Sequence, residues 1–102
     1  MNLDVSQVIT MITGEPFPDA DNKSLTLKTL VTNALLNVSQ GETINGSEKI
    51  ERNSIAEKVW KAEGLVELNQ SEVGKIKNIL EAKNSYPVRI VAEAHRMLGS
   101  LV

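Results

Sequence analysis

Apolar residues in this chain fall into four runs with helical spacing, and into one N-terminal run without it. Leu27, Leu30, Val31, Ala34, Leu35 and Val38 recur at intervals of three and four, so they share one stripe of a helix. Ser24 or Thr26 stands where a cap would accept a backbone N–H bond, and Gly41 follows where a left-handed residue is often needed. Asn45-Gly46-Ser47-Glu48 has the form of a capping box and predicts a second helix to about Glu63, stopped by Gly64. Its inward positions are read as Ile50, Ile55, Ala56, Val59, Trp60 and Ala62, with Glu48, Lys49, Glu51, Arg52 and Asn53 toward solvent. A second box, Asn69-Gln70-Ser71-Glu72, predicts a helix to about Lys83 with Val73, Ile76, Ile79 and Leu80 inward. After the Asn84-Ser85 break, Pro87 suits the first turn of a last helix that buries Val88, Val91, Ala94, Met97 and Leu98 and ends at Gly99.

The N-terminal run reads as β. Val8 to Thr13 favours extended backbone, and Thr13-Gly14-Glu15-Pro16 is turn chemistry, so a strand near 7–12 is expected to turn at Gly14 into a second around Phe17. Pro18 to Lys23 is a polar loop, and Leu65-Val66-Glu67-Leu68 is a short strand able to pair with the N-terminal hairpin. The fold class expected is α+β and predominantly helical, one domain over 1–102. Residues 1–23 supply the β element and loop; residues 24–102 supply about four helices and the short strand near 65–68.

Composition narrows the core and the chemistry. Phe17, Trp60 and Tyr86 are the only aromatic residues, so the core must be aliphatic. Cysteine is absent, which removes disulfides, thiol nucleophiles and thiolate metal sites. His95 is the single histidine and lies at the edge of the last stripe, a boundary position without the partners that nucleophilic or metal chemistry requires. Asp19 to Ser24 resembles the start of a calcium loop, but Lys23 occupies a ligand position and Ser24 the position of the turn glycine. No phosphate-binding glycine loop is present. The carboxylates are dispersed, and neither a cofactor nor a catalytic residue is expected. The N-terminus carries no basic region before its apolar run and no stretch is long enough to span a bilayer, so a cytosolic protein is expected.

A net charge of −2 gives no long-range attraction for nucleic acid. A DNA-binding alternative would have to gather Lys75, Lys83, Arg89 and Arg96 into one patch from the last two helices. Trp60 has a place in the core as its first expectation. The helix around it has a broad polar face, though, and Trp60 with Tyr86 and Met97 would make a protein-binding hot spot if partly uncovered. Leu36, Ile44 and Leu101 are apolar residues left outside the stripes, Leu36 most clearly. Leu36, Trp60, Tyr86 and Met97 are therefore the candidate partner surface.

Four segments resemble small, largely uncharacterised bacteriophage and prophage proteins: Ile12-Thr13-Gly14-Glu15-Pro16, the run Leu25 to Leu36, Ile55-Ala56-Glu57-Lys58-Val59-Trp60, and Val66 to Val73. The resemblance implies a phage origin and an accessory role through binding a protein, either a virion component or a host protein in the bacterial cytosol. It carries no functional residues. A structural homo-oligomer is the further alternative.

Overall fold

The computed structural model describes residues 2–18, 23–37, 43–82 and 86–99. The chain order is β1 (Asn2–Asp4), α1 (Leu27–Leu36), α2 (Gly46–Lys61), β2 (Leu65–Glu67), α3 (Gln70–Ala82) and α4 (Val88–Gly99). β1 and β2 form a two-stranded antiparallel sheet in which Leu3 faces Val66. The molecule is α+β and mainly helical, with a radius of gyration of 13.1 Å against about 13 Å for a compact chain of this length.

The N-terminal segment differs from the hairpin expected. The strand pairing with β2 is residues 2–4, and the 7–18 region holds only isolated bridges, Thr10 to Pro16 among them. Gly14 makes the turn at φ 91° and donates to the Met11 carbonyl. Beyond it three extended pieces exchange single bonds around a closed ring. Phe17 N–H donates to Ile9 O, Ile9 N–H to Leu25 O, and Leu25 N–H to Phe17 O. Pieces that meet three ways cannot run alongside one another, so no ladder forms. The ring seats buried Ile9 with half-buried Phe17 and Leu25 against the core.

That segment also finishes α1. Leu27 N–H donates to Gln7 O, Lys28 N–H to Val5 O, and Thr29 N–H to the Thr26 hydroxyl. Three donors that a helix start leaves without an intrahelical acceptor are thus satisfied. α1 packs on both α2 and α3, and α4 packs on α3. The core is aliphatic throughout, from Leu3, Val5 and Ile9 through the α1 stripe to Ala94, Met97 and Leu98, and no aromatic residue is fully buried.

The two capping boxes differ. At α3 the exchange is reciprocal: Glu72 N–H donates to Asn69 Oδ1 at 2.8 Å, and Asn69 N–H to Glu72 Oε1 at 3.0 Å. At α2 only the first half forms, Glu48 N–H to Asn45 Oδ1, because the Glu48 carboxylate turns away to Arg52 and Lys75. α2 ends at Lys61, two residues early, with Ala62 already extended.

Two helical stripes are rotated from their expected positions. On α2, Arg52 is buried while Ile50 and Trp60 are exposed. On α4, Val88 is exposed and Val91 half-buried, while Ile90 and Glu93 are buried. In each case a charged residue with partners occupies the inner face. Asp19 to Asn22 of the calcium-like run, Val38, Gly41, Lys83, the Asn84-Ser85 break and Leu101 lie outside the described residues.

Candidate functional site

α1 and α2 lie side by side, and their outer faces leave a shallow cleft of about 170 Å³. Thr32 and Leu36 line it from α1; Asn53, Ala56, Glu57, Trp60 and Lys61 line it from α2. Thr32 and Leu36 are one helical turn apart, as are Asn53, Glu57 and Trp60, so each helix contributes a row parallel to its axis. Leu36 is 54% and Trp60 58% exposed. Lys28 Nζ stands 5.7 Å from the centre of the Trp60 ring.

Polar groups at this cleft divide into satisfied and unsatisfied. Glu57 accepts from Asn53 Nδ2 at 2.9 Å and stands 3.8 Å from Lys61. Among the described residues Lys28 has no carboxylate within ion-pair distance, and the buried Thr32 Oγ1 has no hydrogen-bond partner.

The remaining charge clusters are closed. Glu93 is 5% exposed and lies on the inner face of α4. Its carboxylate meets Arg96 at 2.9 Å, Arg89 at 3.2 Å and the Thr10 hydroxyl at 3.4 Å, and Arg89 Nε also donates to Thr10 O. The Arg96 hydrogen bond is the main reason that the Glu93 carboxyl titrates below its ordinary range, with both guanidinium charges adding to it against the cost of burial. This cluster fastens the N-terminal segment to α4.

Between α2 and α3 a wider, open cleft of about 510 Å³ is bridged by long side chains. Lys75 reaches Glu48 at 2.7 Å and Glu51 at 3.4 Å, and Arg52 reaches Glu48 at 3.1 Å. The Lys75 and Arg52 hydrogen bonds hold the Glu48 carboxyl below its ordinary range, and Glu48 in turn raises Lys75. Lys58 pairs with Glu72 at 3.0 Å. Burial would push the Glu72 carboxyl up, but the Asn69 N–H and Lys58 together outweigh it. His95 Nε2 stands 3.2 Å from a Glu81 oxygen. Among the described residues no group of three or more His, Asp or Glu side chains is placed to hold a metal ion, and no helix is long and apolar enough to cross a membrane.

Of the four candidate surface residues, Leu36 and Trp60 come together, Trp60 having left the core position first expected of it. Tyr86 is half-buried against the core, and burial raises its phenol. Met97 is 3% exposed on the inner face of α4 and cannot contribute to a surface. Neither lines the cleft. Sequence reasoning missed Thr32, which sits one turn from Leu36 on the same row, and Lys28, one turn further back. That row was legible in the spacing.

No family model matches the chain, and neither does any curated protein or solved structure.

Proposed function

We propose that this protein is a non-enzymatic binding module that docks on another protein through the α1–α2 cleft. One observation carries the reading: Leu36 and Trp60, both more than half exposed, line the same concavity, on helices whose opposite faces are buried. Tryptophan is, with tyrosine and arginine, among the residues most enriched at interface hot spots. The cleft's volume lies below the ~300–1,000 Å³ of small-molecule sites, and suits one or two protein side chains better than a metabolite. The resemblance to small, largely uncharacterised phage and prophage proteins makes a virion component or a bacterial cytosolic protein the first partner to seek. The DNA-binding alternative is less favoured, because Lys75, Arg89 and Arg96 already face carboxylates.

Photo-crosslinking tests the reading, with p-benzoylphenylalanine replacing Trp60 in one variant and Ile50 in another. Ile50 is exposed on α2 but does not line the cleft. In cells that naturally make the protein, position 60 should give a discrete adduct that position 50 does not. No adduct from position 60, or the same adducts from both positions, contradicts the proposal.

A further inference from the structure

From the charges and the size of the same cleft we infer that its occupant is an acidic amphipathic segment of a partner protein, presenting an aliphatic or aromatic anchor flanked by Asp or Glu. The inference rests on the docking reading above and adds the chemistry of the ligand.

Size argues against a second copy as the occupant. Trp60 and Leu36 together expose roughly 250 Å². A stable interface buries about 800 Å² on each partner. A symmetric dimer on this face would have to cover the remainder with Glu57, Lys61, Lys28 and their neighbours, stripping water from charges that have no apolar surround. A single helix or extended segment has no such requirement, because it can seat one anchor between the two rows of side chains and leave the rim wet.

Charge sets the sign of the segment. Glu57 is held by Asn53 and faces Lys61, whereas Lys28 beside the Trp60 ring lacks a carboxylate among the described residues. An anchor lying between Leu36 and Trp60 would bring its neighbouring residues to Lys28. A carboxylate there completes an ion pair with Lys28, and an ammonium there would meet that same cation, the charges of Glu57 and Lys61 offsetting each other.

The test is selection of short random peptides displayed on yeast against the intact protein and against Lys28→Glu, with the indole N–H resonance of Trp60, the single tryptophan, as reporter. Wild-type ligands should share an apolar anchor with Asp or Glu within one turn of it, and should shift the Trp60 resonance. Their affinity should fall about tenfold for Lys28→Glu, and selection on that variant should enrich Lys or Arg at the same positions. Ligands that shift Trp60 but carry no acidic preference overturn the inference and leave the docking reading standing. A library yielding no peptide that shifts Trp60 overturns the docking reading itself. A concentration-dependent solution mass that Leu36→Asp abolishes overturns the inference in favour of a second copy.

Discussion

Two outer regions of this molecule break the hydrophobic pattern in opposite ways. On α4 a carboxylate, Glu93, stands inside the apolar stripe, and on the α1–α2 face two large apolar residues stand outside theirs. The first departure is fully answered within the chain: Arg89, Arg96 and Thr10 surround Glu93. The second is not, since Trp60 receives one cation near its ring, Leu36 remains open and Thr32 keeps a buried hydroxyl without a partner. A polar residue in a core must find partners for the chain to fold at all, because an uncompensated buried charge costs more than a domain of this size can spare. An exposed tryptophan carries no such penalty, so the chain can keep one without internal compensation. The α4 cluster is thus explained by stability; the α1–α2 cleft has no such explanation, and the proposed docking is placed there.

The sharpest way to break that contrast lies within α2, where one helix has both kinds of residue. Ile55→Ala, on the buried face, should cost about 2–5 kcal/mol, or about 4–8 °C of melting temperature per kcal/mol. Trp60→Ala removes a larger side chain but should cost less than about 1 kcal/mol, mainly the Lys28 contact. Thermal denaturation of the two variants side by side checks this, and comparable losses would return Trp60 to the core.

Next in size is Glu93→Gln. Both guanidiniums remain partly exposed, so none is stranded, and the expected loss is about 1–2 kcal/mol near neutral pH. The sign of its pH dependence follows from a carboxyl depressed in the folded state. Its contribution is complete above the ordinary glutamate value of about 4.3 and disappears as pH falls through the lower folded value. Denaturant melts between neutral pH and the acid range should show wild type losing its advantage over the variant. Some acid sensitivity remains in both, from Glu48 and Glu72, which are depressed as well.

The smallest effect belongs to Thr32→Val. It keeps the shape and removes a buried hydroxyl that has no partner, so stability should be unchanged or rise by up to about 1 kcal/mol. A clear loss in denaturant melts would show that the hydroxyl is satisfied in the free protein.

Much of the architecture was legible in spacing alone. α1, with its Thr26 cap, and the α3 box at Asn69 and Glu72 stand where the pattern puts them. Residues 65–67 form the expected strand too, although it pairs with residues 2–4 and not with the expected hairpin. The rotations of α2 and α4 were missed for one reason: only apolar residues were counted toward the stripe. With Arg52 admitted, 52, 55, 56 and 59 keep three-and-four spacing; with Glu93 admitted, so do 90, 93, 94, 97 and 98. Both charged residues have opposite charges close by in sequence, Glu48 for Arg52 and Arg89 and Arg96 for Glu93, and that local signal could have licensed them. The ring of bonds joining Ile9, Phe17 and Leu25 was beyond local reading, because it depends on where three distant pieces of chain meet. For the site, Leu36 was legible as an apolar residue off its stripe. Trp60 was pulled toward the core by its size, and Met97 toward the surface by its company.

The most direct test of the cleft as a binding rather than a folding surface is Leu36→Asp, measured twice on one protein: melting temperature, and adduct yield from a photo-crosslinker at position 60. The expected result is a melting temperature within about 3 °C of the parent, together with loss of the adduct. A large drop in melting temperature, or an adduct that survives the substitution, would contradict it.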